Sequence, residues 1–136
     1  MCKGALYTYD GREVRIGFTS PGARLPVAKR HGHTMLLPWG RRRNDNGALP
    51  LGGWARLEAI KTGKWDRWQP RPVRLQLRAF MESDIQGDDY WFELNSGQWV
   101  QGLIAREGKE QRVYVVTITP EMPDALHQRW PRIITA

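Results

Sequence analysis

The second residue carries the most distinctive chemistry in the chain. Cys2 is the only cysteine, and removal of Met1 would leave an α-amine (reference pKa ~7.7–8.0) and a thiol (~8.5) on adjacent carbons. The amine condenses with an aldehyde to an imine, and the thiol closes on the imine carbon to give a five-membered thiazolidine, an intramolecular step favoured by proximity. The plainer alternative is an inert cysteine that happens to follow methionine. One cysteine forms no internal disulfide, and His31, His33 and His127 have no spacing reinforced by further ligands, so neither a metal nor another cofactor is expected.

A second pattern is positive charge interleaved with flat rings. Arg41, Arg42, Arg43, Arg56, Lys61, Lys64, Arg67, Arg71, Arg74 and Arg78 lie close in sequence to Trp39, Trp54, Trp65 and Trp68. Single-stranded DNA binders set cations against phosphates and aromatic faces against unstacked bases, each stacked base contributing ~1–3 kcal/mol. The net charge of +7, from 21 Lys and Arg against 14 Asp and Glu, favours a polyanionic partner. Each tryptophan also has a place in the core as its competing reading; Trp54 and Trp68 are the rings expected at the surface.

These residues must be positioned by short strands. Leu6 to Tyr9 and Val14 to Phe18 flank Asp10-Gly11, a dipeptide suited to a tight hairpin turn. A second hairpin is expected from 24–28 and 34–37, followed by an exposed loop over 41–47. Trp54 to Lys61 reads as a short helix stopped near Gly63, and the alternation from Val73 to Phe80 as one strand with a buried face. Tyr90 to Leu94 and Trp99 to Ala105 suggest a hairpin across 95–98, Arg112 to Thr119 a buried strand, Pro123 to His127 a helical turn, and Ile133-Ile134 a last short strand. The sum is one β-rich α+β domain over residues 1–136, with a strongly bent or barrel-like, mostly antiparallel sheet and few short helices. No apolar run approaches a membrane span, and the first twenty residues are too charged for a signal peptide. A cytoplasmic monomer without membrane contact is therefore expected.

Six blocks in order resemble the SOS-response-associated peptidase (SRAP) family: Met1-Cys2, Ser20-Pro21-Gly22, Leu37-Pro38-Trp39-Gly40, Trp54-Ala55-Arg56-Leu57-Glu58, Ala79-Phe80-Met81-Glu82, and Leu126-His127-Gln128-Arg129-Trp130-Pro131. The resemblance implies a short, diverged member, with a phage-related origin as one option. It implies a DNA damage response protein that binds single-stranded DNA and forms a covalent thiazolidine crosslink to abasic sites through its N-terminal cysteine. Cys2 would be the nucleophile, Glu82 the carboxylate beside the terminal amine, with Asp84 as its competitor, and His127 the imidazole facing the sugar. Arg56 would hold phosphate, with Trp54, Trp39, Arg41, Arg42, Arg43, Trp68, Arg74, Arg78 and Arg129 completing the DNA contacts. Trp54 stands where the family has an asparagine that helps position the abasic nucleotide. Two further readings belong to other classes: a non-covalent single-strand binding module with a decayed site, and a thiol peptidase, autoproteolytic or lyase-type activity using Cys2 and His127.

Overall fold

The Asp10-Gly11 pair places both turn residues at positive φ, 52° and 75°, the backbone geometry that matches the twist of a two-residue hairpin. It joins β1 (Cys2–Tyr9) to β2 (Arg12–Gly17), so the first strand is longer than its apolar run suggests. The computed structural model describes residues 2–29, 32–120 and 129–135. The expected helical turn at Pro123 to His127 lies outside the described residues.

After the first hairpin come β3 (Arg24–Ala28), β4 (Thr34–Pro38), β5 (Trp54–Arg56), α1 (Leu57–Lys61) and a 3-10 turn at Asp66–Trp68. Then follow β6 (Arg71–Leu75), β7 (Ala79–Ser83), β8 (Asp89–Glu93), β9 (Gln98–Glu107), β10 (Glu110–Ile118), β11 (Trp130–Pro131) and β12 (Ile133–Thr135). The fold is β-rich and mostly antiparallel, as expected from the sequence, but neither sheet closes into a barrel. One sheet runs β2-β1-β7-β8; the other runs β11-β10-β9-β6-β3-β4, with β5 parallel to β10 and β12 on β9.

Three expected elements are redrawn. The stretch 73–80 is two strands: Leu77 N–H closes a tight turn on the Leu75 carbonyl at 3.1 Å, and Arg78 N–H then reaches the Leu6 carbonyl at 2.7 Å, so the chain passes from one sheet to the other. Residues 90–105 do not form a hairpin, because β8 pairs with β7 while β9 pairs with β6 and β10. The first three residues of the expected helix are instead β5, drawn into parallel pairing with Val115 to Thr117.

The main core lies between the sheets, with Ala5, Leu25, Leu75, Phe80, Val100 and Val113 among its fully buried side chains. A second cluster, Leu103, Ala105, Tyr114 and Val116, packs on the far face of β9 and β10 against α1 and Trp65. Past Gly102 and Val115 these two strands part, and the late strand fills the gap: Arg132 N–H bonds the Val116 carbonyl while its own carbonyl accepts from Gln101 N–H, both at 2.8 Å. The parted ends of β9 and β10 are thereby joined within the eight-stranded sheet by residues remote in sequence.

Candidate functional site

Cys2 opens β1, an inner strand tied to β2 on one edge and β7 on the other. The β1–β7 register sets Cys2 directly opposite Glu82, and a bulge between Cys2 and Gly4 shifts the ladder there. Both residues are completely covered, at 0% exposure. The thiol donates to the Gly4 carbonyl at 3.4 Å. Burial, and after it the negative charge of Glu82, push the thiol pKa well above the usual cysteine range. The sulfur is therefore held as the neutral thiol, the wrong form for a peptidase thiolate.

Asp84, the competing carboxylate, is committed elsewhere. It accepts the N–H groups of Gln86 and Asp88 at 2.9 Å each and so shapes the turn between β7 and β8. Of the two, Glu82 is the one the sheet brings to Cys2. His127 and His31 lie outside the described residues, and His33 is an exposed loop residue whose carbonyl accepts from Lys29 N–H.

Trp54 closes the other side of Cys2. Its indole N–H donates to the Cys2 carbonyl at 2.6 Å, and its ring packs on Phe18 with centroids 4.9 Å apart. Phe18 in turn meets the edge of Trp39 at 5.6 Å and carries the Arg42 guanidinium over its face at 4.4 Å. This nest exists because Gly53 has no side chain: a Cβ there would stand 2.7 Å from Phe18 and 2.8 Å from the Trp39 indole nitrogen.

Several expected DNA contacts are corrected by this packing. Trp39 is fully buried, with its N–H on the Gly53 carbonyl at 3.0 Å, so it offers no face to a base. Arg41 donates to the Leu49 and Asp45 carbonyls, and Arg42 to the Phe18 carbonyl and the Asp45 carboxylate; the loop 41–47 is exposed at residues 43, 44, 46 and 47, as expected, but these two arginines are turned inward to pin it. Arg129 is buried and chelated by Glu58 at 2.9 and 3.1 Å, with further bonds to Thr117 and Thr119, which makes it a brace between β10 and α1. Trp54 and Trp68, expected as surface rings, are half-buried, Trp68 with Arg67 stacked on it at 4.2 Å.

Arg43, Arg56, Arg74 and Arg78 do reach solvent. Arg56 ends β5 two residues beyond Trp54, Arg74 lies over the Trp99 ring at 4.5 Å, and Arg78 pairs with Glu13 at 3.1 Å. Arg56 and Arg74 ride on the eight-stranded sheet, whereas Arg78 leads into the four-stranded one. Among the described residues the exposed Tyr and Trp side chains are Tyr9, Tyr90 and Trp91, none of them expected as a DNA contact, the last with Arg15 at 5.3 Å from its ring. Arg15 on β2 and Trp91 on β8 belong to the two edge strands of the four-stranded sheet and meet across β1 and β7, so no local spacing announces them.

No protein-family model matches this chain, and no curated protein matches it.

Proposed function

We propose that this chain binds single-stranded DNA and captures the aldehyde of an abasic site through Cys2. The observation that carries the reading is the direct opposition of Cys2 and Glu82 on neighbouring strands. It is supported by the resemblance of six ordered sequence blocks to the SRAP family and by a net charge of +7.

The chemistry starts once Met1 is gone. The Cys2 amine adds to the aldehyde carbon, and loss of water gives the imine. The sulfur then bonds to the imine carbon as the thiol proton leaves and the nitrogen takes one up, closing the thiazolidine with one water released overall. In this reading the Glu82 carboxylate takes the thiol proton as the sulfur attacks and passes it to nitrogen. Loss of Met1 must also uncover the amine, since Cys2 is completely enclosed in the chain described above.

The test is denaturing electrophoresis of the protein with a single-stranded oligonucleotide carrying an abasic site, alongside the intact mass of the protein. A chain starting at Cys2 and a heat-stable shifted band that disappears in Cys2→Ala are expected. A band that survives in Cys2→Ala overturns the reading.

The complete burial of Cys2 favours one other reading, a non-covalent single-strand binder whose site has decayed. It calls for no adduct, equal affinity for intact and abasic strands, and binding that weakens steeply with salt.

A further inference from the structure

β3 pairs with β6 only through Val27 and Ala28, opposite Leu75 and Arg74. Among the described residues nothing pairs with Arg71 to Val73 on that side, and the seam opens into a trough of about 600 Å3, within the size range of sites that take small organic groups. Gln111 on its wall precedes, by four residues, Val115, the partner of Trp54 beside Cys2. At ~3.3 Å per residue the trough is displaced from the Cys2 site by ~13 Å along β10.

The lining is divided by chemistry. Lys29, Arg71, Arg74 and Arg106 supply four cations, and no carboxylate lines the trough. Lys29, Arg71 and Arg106 make no ion pair among the described residues, while the nearby Glu110 is already held by Arg112 and the N–H of Ala48. Val27, Met35, Val73 and Ile104 give an aliphatic floor. Unpaired cations beside apolar surface suit an anionic chain that also carries flat apolar groups. An added peptide strand is a poorer match, because Pro72 in the open stretch has no N–H to offer it. A duplex is poorer too, since its bases are paired and turned away from any floor.

We propose that this trough is a second contact for single-stranded nucleic acid, in which Lys29, Arg71 and Arg106 take phosphates and the aliphatic floor takes an unpaired base. It rests on the reading that the chain binds single strands, but not on Cys2. Of its three working cations only Arg71 lies in the basic and aromatic run of the sequence, because Lys29 and Arg106 come from other strands and loops.

The experiment compares binding of a labelled oligothymidylate by the full chain, by Arg71→Gln/Arg106→Gln, and by Arg12→Gln/Arg24→Gln, a control that removes equal charge from exposed positions outside the trough. The trough variant should bind about tenfold more weakly at low salt. Its dependence of log K on log salt should flatten by ~1.4, the ~0.7 per phosphate of single strands taken twice. The control should change less than about twofold. Equal weakening in both variants, no weakening in the trough variant, or equally tight binding of a duplex overturns the trough as a contact. Failure of the unmodified protein to bind oligothymidylate overturns the parent reading instead.

Discussion

The indole nitrogen of Trp54 donates a 2.6 Å hydrogen bond to the carbonyl of Cys2, tying β5 to the first residue of β1. A side chain that the sequence suggested as an exposed stacking platform is thereby a fastener, with its ring on Phe18 and its N–H on the backbone of the candidate nucleophile. Trp54→Phe keeps most of the packing and removes the donor. It should lower stability by about 0.5–1.5 kcal/mol in urea unfolding, the ordinary net contribution of one hydrogen bond. An unchanged midpoint would show that the bond contributes nothing.

The thiol should be slow to react. Cys2 is enclosed and its pKa is raised by burial and then by Glu82, so a disulfide reagent at pH 8 should label the folded Met1-bearing chain at least about a hundredfold more slowly than the same chain in denaturant, where the ordinary cysteine value of ~8.5 returns. Equal rates would mean that the native thiol is open.

Alkali should destabilise the fold, and the sign follows from proton counts. The Cys2 and Tyr114 pKa values are raised in the folded chain, each chiefly by burial. Above ~8.5 for the thiol and ~10 for the phenol the unfolded chain sheds protons that the native one keeps, so stability is full below those values and falls as pH rises. The melting temperature should decline from about pH 9 upward, and less steeply in Cys2→Ala. The same decline in both proteins would remove Cys2 from the account.

Arg129→Met should cost stability without a direct effect on DNA affinity. The change strips Thr117 of its guanidinium partner and leaves its buried carbonyl short of a donor, a penalty of about 1–3 kcal/mol. Thermal melts read the first part and oligonucleotide binding well below the melting temperature the second. A stable variant with weakened binding would restore Arg129 to the DNA contacts.

Gly53→Ala should disturb the aromatic nest around Trp39. Its new methyl would meet Phe18 at 2.7 Å and the Trp39 indole at 2.8 Å, and overpacking of this kind typically costs about 1–3 kcal/mol. Tryptophan fluorescence and a urea melt check it together; a wild-type melt would mean that Phe18 swings aside freely.

What the sequence disclosed and what it hid divide along the range of the interactions. The Asp10-Gly11 hairpin and the β3–β4 hairpin were legible because turn chemistry and strand pattern sit within a few residues. The break between β6 and β7 was not, because the Leu75 to Leu77 turn uses neither glycine nor proline and the alternation of apolar residues runs straight through it. The turn at 95–98 was read correctly as a turn, with Gln98 N–H on the Asn95 carbonyl, yet a turn does not say which sheet each flanking strand will join. At the site, Cys2 spoke through its own chemistry, whereas Glu82 stood out only by resemblance, since a register between residues eighty positions apart leaves no local trace. The tryptophans were misplaced for a related reason: proximity to arginine in sequence does not distinguish a ring facing solvent from one wedged beside Gly53.

Because β1 is bonded along both edges, to β2 from Gly4 to Tyr9 and to β7 from Cys2 to Leu6, a pull applied at Cys2 along the strand axis would not peel the sheet open one rung at a time. The ladder bonds lie across the strand, so tension would strain many of them at once, in shear. Cargo fastened at that residue would be moored to a strand held along both edges, so a motor dragging on it would have to break many bonds together to free it.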